Sequence, residues 1–288
     1  MNLILGSAQF GLNYGVTNQF GQLKLREIKK ILQHAISNNI NIIDTASAYG
    51  KSEKNIGSFS NLNFKIITKL PQLSCKKVNI QKDINKIIKN SLNNLKINNI
   101  DTLLIHAPDQ LLTERGDLIY KALNDLKDNK LINKLGISVY DTKILKEILK
   151  KYDIDVVQAP VNIFDTRFIK QDITSLLLER DIKLHARSIF LQGVLLNSEN
   201  LPNYFKKWTN IFDEYRAWAS NISLSPLDIC IQFLKKNKMI EGIIIGVDSL
   251  DQLKEVIKSY NNDSDVDISP PEFINTNSDL INPTKWKI

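Results

Sequence analysis

The sequence predicts an α/β chain folded as a (β/α)8 TIM barrel, read as a single domain over residues 1–288. Three observations carry that prediction. Eight short apolar runs rich in Ile, Val and Leu recur from end to end, a helix-length amphipathic stretch separates each from the next, and no low-complexity linker breaks the pattern. Strands joined through helices pair in parallel, and eight is the number that closes this barrel.

The strands are expected near Leu3-Ile4-Leu5, Ile40-Asn41-Ile42-Ile43, Phe64-Lys65-Ile66-Ile67, Asp101-Thr102-Leu103-Leu104-Ile105, Lys134-Leu135-Gly136-Ile137, Asp155-Val156-Val157, Ile182-Lys183-Leu184 and Gly242-Ile243-Ile244-Ile245. Between them the apolar residues repeat at helical spacing. Ile28, Ile31, Leu32, Ala35 and Ile36 form one stripe, and Ile84, Ile87, Ile88, Leu92 and Leu95 another. A doubly wound sheet is the competing fold. As a dinucleotide binder it would want GxGxxG after its first strand, where this chain reads Gly6-Ser7-Ala8-Gln9-Phe10-Gly11. Two excursions depart from the repeat: a long connection from about Ser188 to Pro226, and a Pro- and Asn-rich tail after about Asn261. In a barrel both are expected over the C-terminal mouth.

Composition narrows the function classes. With 43% apolar and 24% charged residues in 288, the chain has the make-up of a soluble globular protein. Its net charge of +7 favours anionic small ligands, yet the lysines, as at Lys29-Lys30, Lys76-Lys77 and Lys235-Lys236, are dispersed on helical stretches. That pattern reads as solvated faces, so no nucleic-acid partner is expected. Cys75 and Cys230 lack any CxxC or Cys/His cluster, so neither a disulfide framework nor a metal site is expected. The opening residues lack a basic n-region and no apolar run reaches a membrane span; a cytoplasmic location is expected.

Chemistry is expected just past the C-terminal ends of the strands. The second strand runs into Asp44-Thr45-Ala46-Ser47-Ala48-Tyr49-Gly50, the third into Thr68-Lys69, the fourth into His106-Ala107-Pro108. Asp44, Tyr49, Lys69 and His106 together make a proton-handling set. A phenol near its free pKa of ~10 is a poor acid at neutral pH, and a neighbouring ammonium such as Lys69 would lower that value. Asp44 would pair with Lys69, and His106 could orient a carbonyl oxygen.

The segment Asp44 to Gly57, DTASAYGKSEKNIG, resembles the aldo-keto reductase signature, with Lys69 and His106 at the next two stations. The likeness takes in Gly136-Ile137-Ser138, Val157 to Asn162 and Ile244 to Leu253. It implies hydride transfer between NADPH or NADH and a carbonyl of an aldehyde, ketone or sugar-derived substrate, without metal. Tyr49 would be the general acid, Lys69 its modulator, Asp44 the partner of Lys69 and His106 the carbonyl-orienting donor. Ser138 and Gln158 fall where the family holds the nicotinamide carboxamide.

Departures from the family pattern are as specific. Val139 stands where an asparagine is usual, and Arg187 stands where many members stack a tyrosine on the nicotinamide. Arg187 would stack through its guanidinium or reach the pyrophosphate. Gly246, Val247, Asp248 and Ser249 would bind phosphate through backbone amides, with Ser249 as N-cap of the last long helix. Gly246 and Gln252 occupy places where NADP-preferring members carry a lysine and an arginine, and Asp248 near a ribose favours a free 2′-hydroxyl. The family leans the other way, so NAD against NADP stays open. Gly11, Gly15 and Gly193 would let backbone approach the cofactor.

The loop after His106, the aromatics Trp208, Phe212, Tyr215 and Trp218, and Phe273 and Trp286 of the tail are candidates for a substrate wall or for plain packing. A monomer or small homo-oligomer is expected. The alternative function is a cofactor-binding regulatory protein with little turnover. An isomerase or aldolase would need a paired carboxylate base or a Schiff-base lysine, which Lys69 beside Asp44 fits poorly.

Overall fold

The structure, a computed structural model, describes residues 1–74, 79–270 and 277–287. Cys75, Lys76, Lys77 and Phe273 lie outside the described residues. Eight parallel strands close on themselves in chain order, each paired with its sequence neighbour and the last with the first. The order is β1 (Asn2–Gly6), α1 (Ala8–Gly11), α2 (Leu25–Ser37), β2 (Ile42–Asp44), α3 (Ser52–Gly57), β3 (Lys65–Leu70), α4 (Ile80–Leu95), β4 (Ile100–Ile105), α5 (Gly116–Asp128) and β5 (Ile132–Ser138). It continues with α6 (Thr142–Leu149), β6 (Val156–Pro160), α7 (Gln171–Glu179), β7 (Lys183–Arg187), α8 (Thr209–Ser220), α9 (Pro226–Lys235), β8 (Ile240–Ile245), α10 (Leu250–Asn261) and α11 (Ser278–Ile281).

All eight expected strands form, with shifted ends. β2 starts at Ile42, not Ile40, because the Ile40 N–H is donated to the Ala35 carbonyl at 2.9 Å and Asn39 turns through a left-handed φ of 62° to end α2. β5 starts two residues early, where Ile132 pairs with Ile100 of β4. The helical stripes bury as expected: Ile28, Ile31, Leu32 and Ala35 of α2 and Ile84, Ile88 and Leu95 of α4 are core, while Ile36, Ile87 and Leu92 sit half-buried at its margin.

Strand alternation divides the apolar residues between two cores. Leu3, Leu5, Ile43, Ile66, Leu103, Ile105, Val157, Leu184, Ile243 and Ile245 point outward and pack under the helices in one large cluster. Ile4, Ile67, Leu104 and Val156, with Ile42 and Ile244 against them, form a separate cluster that fills the barrel lumen. The lumen is therefore plugged below the mouth, and one step of two residues further along each strand reaches the floor of the mouth.

The connection after β7 carries a helix of its own. Trp208, Phe212 and Tyr215 are buried in it, with Phe164 5.8 Å from Phe212 and 5.4 Å from Tyr215 between ring centroids. The tail returns across it: Trp286 sits edge-on to Phe205 at 4.9 Å and donates its indole N–H to the Leu280 carbonyl at 3.0 Å. No helix among the described residues is long and apolar enough to cross a membrane.

Candidate active site

Each lumen residue has a site residue two places along its strand. Ile4 leads to Gly6, Ile42 to Asp44, Ile67 to Lys69, Leu104 to His106, Val156 to Gln158 and Ile244 to Gly246, and in the same phase the buried His185 of β7 leads to Arg187. The same alternation that fills the lumen thus gathers the predicted residues into one ring. Above them opens a cavity of about 580 Å3. Its wall includes Asp44, Tyr49, His106, Ser138, Gln158, Arg187, Gly246, Val247, Asp248 and Gln252. Lys69 and Ser249 are absent from that wall.

Lys69 is 2% exposed and Asp44 4%, so their charges face each other out of water. The ammonium donates to both Asp44 oxygens, at 2.8 and 2.7 Å, and to the Thr45 carbonyl at 2.8 Å. Those three bonds use all three ammonium hydrogens. Gln158 Nε2 donates to Asp44 Oδ1 at 2.7 Å, and Ser138 Oγ donates to Gln158 Oε1 at 3.4 Å. A continuous chain runs from Ser138 through Gln158 and Asp44 to Lys69. Burial pulls the Lys69 ammonium down from its ordinary value against the opposing pull of Asp44.

Lys69 Nζ lies 4.9 Å from the centre of the Tyr49 ring. Its cation meets the ring and has no N–H left for the phenol oxygen. In place of the lowered phenol that the sequence suggests, burial first and the Asp44 charge second push the Tyr49 hydroxyl above its ordinary value, with Arg187 pulling the other way. Tyr49 therefore keeps its proton at neutral pH. The His106 ring stands edge-on to it, 6.1 Å between centroids. Burial, then the Lys69 and Arg187 charges, lower the His106 imidazole to about 4, so it is neutral at pH 7 with one N–H to donate.

Tyr49 is placed by backbone packing. A Cβ on Gly11 would come within 1.8 Å of the Tyr49 carbonyl and 2.4 Å of the Ser52 N, and Gly50, at φ +55°, has the Gly11 carbonyl where its own Cβ would stand. Only glycine fits both places. Gly11 accordingly serves the Tyr49 turn and not the cavity, whereas Gly15 and Gly193 do line it. Beneath the turn, Ser52 Oγ reaches the Ser7 carbonyl at 2.8 Å and Thr45 Oγ1 at 3.1 Å, locking β1 and β2 to α3.

The opposite side of the mouth is less complete. The Arg187 guanidinium stacks on the Tyr140 ring at 3.9 Å, and its buried Nε has no hydrogen-bond partner. Ser249 caps α10, its Oγ accepting from the Gln252 N–H at 3.1 Å, while Gln252 Oε1 accepts from the Asp248 N–H at 2.7 Å. Asp248 Oδ1 is buried without a partner. Across the cavity, Gln192 Nε2 donates to Tyr14 Oη at 3.3 Å, and Gly193, at φ +89°, abuts Thr17 so closely that a Cβ would lie 1.9 Å from Thr17 Oγ1.

The family model for aldo/keto reductases matches residues 2–267. The chain belongs to the aldo/keto reductase family. An uncharacterized oxidoreductase of Bacillus subtilis (strain 168), YqkF, is 27% identical over 259 residues, 80% of this chain and 81% of that protein. Among solved structures, the holo form of the aldo-keto reductase AKR11C1 from Bacillus halodurans superposes with a TM-score of 0.73 at 20% identity, covering 91% of this chain and 87% of that one. The glycerol dehydrogenase AKR11B4 from Gluconobacter oxydans gives 0.71 at 21% identity, covering 91% and 86%. The chain is thus an oxidoreductase of the (β/α)8 barrel type. Family membership supports NAD(P)H-dependent carbonyl reduction in general.

The residues present fit a nicotinamide dinucleotide. A cavity running from Tyr49 and His106 past Arg187 to Gly246 and Asp248, with two unpartnered buried polar atoms in its wall, is shaped and equipped for a long polar ligand. The aldo/keto reductase motifs did not point to Gln9, Tyr14, Tyr140, Gln192 or Glu255, all of which line it. Conversely, Trp208, Phe212 and Tyr215 are packing residues, the loop after His106 contributes nothing further to the wall, and the tail contributes Pro283 and Thr284 in place of Trp286. Among the described residues no cluster of three or more His, Cys, Asp or Glu could hold a metal.

Proposed function

We propose that the protein reduces the carbonyl of an aldehyde, ketone or sugar-derived substrate, or oxidises the corresponding alcohol, with Tyr49 as the proton donor. The bound dinucleotide supplies or accepts the hydride. The observation that carries the reading is a protonated phenol and a neutral imidazole facing one cavity, with a buried cation against the phenol ring.

In this reading His106 donates its N–H to the carbonyl oxygen and polarises it, and Tyr49 gives that oxygen its proton as negative charge develops there. Lys69 stabilises the phenolate left behind through the ring face, and Asp44 with Gln158 holds Lys69 in place. Ser138 and Gln158 would receive the carboxamide of the nicotinamide, Arg187 its ring or the pyrophosphate, and Gly246 to Ser249 with Gln252 the adenosine end. We read the 288 residues as one domain working in the cytoplasm on a small molecule, as a monomer or small homo-oligomer.

The test is Tyr49→Phe with a panel of aldehydes and ketones, following consumption of the reduced cofactor. We expect intact folding and cofactor affinity with kcat lower by roughly 10²- to 10⁴-fold. Nearly unchanged turnover would remove Tyr49 from the mechanism. Binding of the dinucleotide without turnover on any carbonyl would favour the regulatory reading.

A further inference from the structure

The inference concerns the adenosine end of the cavity and rests on the dinucleotide reading above. We propose that this site selects a dinucleotide with a free 2′-hydroxyl on the adenosine ribose, NAD(H), over the 2′-phosphorylated NADP(H), and that Asp248 is the discriminating group.

The charges that line the cavity are unevenly placed. Its carboxylates are Asp44, Asp248 and Glu255, and Arg187 is the one Lys or Arg among the described lining residues. Arg187 ends the neighbouring strand β7, and its guanidinium is stacked on Tyr140 with the Val139 carbonyl 3.5 Å from its Nη2. The Asp44 charge is spent on Lys69. That leaves Asp248 and Glu255 as the charged lining groups where β8 runs into α10, and among the described residues neither is in an ion pair. The nearby lysine of that helix, Lys254, is turned to Asp251 at 2.9 Å.

A 2′-phosphate brings about −1.5 to −2 charges and only acceptor oxygens at neutral pH. Set beside two carboxylates, with Arg187 turned to Tyr140 as the one Lys or Arg on the described wall, it meets repulsion at short range in a partly desolvated site. A 2′-hydroxyl brings the opposite property, an O–H that a carboxylate can accept. The unpartnered, buried Asp248 Oδ1 is an acceptor lacking a donor, which the ribose hydroxyl supplies and the phosphate cannot. The Asp248 main chain is fixed, its N–H donated to Gln252 Oε1 at 2.7 Å, and the Gln9 and Gln252 side chains face its carboxyl group. An acidic side chain accepting from a ribose hydroxyl is the arrangement by which other dinucleotide folds choose NAD.

Calorimetric titration of the full chain with NADH and with NADPH, for wild type, Asp248→Asn and Glu255→Gln, tests this without any substrate. We expect NADH to bind at least about tenfold tighter than NADPH. Asp248→Asn should narrow that ratio by fivefold or more, chiefly by improving NADPH, and Glu255→Gln should narrow it less. Thermal melts of the three proteins establish that each is folded. Equal or tighter NADPH binding by wild type overturns the preference while leaving the enzyme reading intact. A ratio unchanged by Asp248→Asn overturns the assignment to Asp248. Binding of neither dinucleotide refutes the cofactor reading, and this inference with it.

Discussion

The two sides of the barrel mouth are built to opposite rules. On the β2 to β6 side every polar atom of the Ser138–Gln158–Asp44–Lys69 chain has a partner, and the Lys69 ammonium uses all its hydrogens. On the β7 to β8 side Arg187 Nε and Asp248 Oδ1 are buried with none. The connecting loop there also holds three non-glycine residues at left-handed φ: Ser188 at 55°, Leu191 at 47° and Gln192 at 54°. Such backbone costs on the order of 1 kcal/mol per residue, and unpaired buried polar atoms cost about 1–3 kcal/mol each. On the function proposed above, the difference separates two tasks. A proton-transfer group needs its geometry before the substrate arrives, whereas a binding surface keeps its acceptors and donors open for the ligand that completes them.

The hardest blow to the wired side is Lys69→Met. It strands the buried Asp44 carboxylate, so we expect a loss of about 3–5 kcal/mol in chemical denaturation and kcat at least as low as that of Tyr49→Phe. The double variant should be no slower than the worse single one, because the two act as a unit. A multiplicative loss would mean that Lys69 acts elsewhere and that the wiring is not one network.

Next in size is Gly11→Ala. The added methyl lands on the Tyr49 carbonyl, so the turn must shift; melting should report a loss of about 2–3 kcal/mol, with a fall in kcat at unchanged cofactor affinity. Unchanged stability would show that the Tyr49 turn is as forgiving as the loops opposite.

How much of this contrast was legible in the sequence follows from range. The strands and helices are written in local periods, so the barrel was readable from Leu3 to Leu253. Asp44, Tyr49, Lys69 and His106 were legible only as a set, since each alone has an ordinary structural reading and it is their succession past three strand ends, within the family-like segment Asp44 to Gly57 and beyond, that singles them out. Tyr140 was not, since its role depends on a guanidinium 47 residues away and nothing in its neighbourhood marks it. The Tyr14–Gln192 contact and the burial of Phe212 and Tyr215 depend on packing between distant segments in the same way. Ser249 was readable as a cap because a cap is a matter of three residues.

A smaller effect sits on the pH axis. His106 has its folded pKa lowered to about 4, below the unfolded value near 6.5, so its contribution is complete above pH 6.5. It is lost as the pH falls from there towards 4, since the unfolded chain binds that proton first. We expect urea stability to drop by about 1–3 kcal/mol over this window beyond what carboxylates produce, and the excess to vanish in His106→Gln. A window unaltered by that substitution would place the acid sensitivity outside the wired side.

The smallest effect belongs to the open side. Arg187→Met removes a cation with an unsatisfied Nε and no acidic partner, so stability should move by less than about 0.5 kcal/mol while dinucleotide affinity falls several-fold by titration. A large stability loss instead would mean that the Arg187–Tyr140 stack is structural and that the two sides differ less than their hydrogen bonds suggest.

The two-residue step from lumen plug to site ring has an evolutionary corollary. Losing or gaining one residue inside β2, β3 or β6 would turn Asp44, Lys69 or Gln158 outward and set an apolar neighbour over the mouth. The ring at the mouth can therefore diverge only by exchange of side chains at constant length. The segments 12–24 and 188–208 are under no such parity, and insertions there leave every strand in frame. Lineages on this scaffold are free to lengthen what touches the ligand while the reading frame of the chemistry stays closed to insertion.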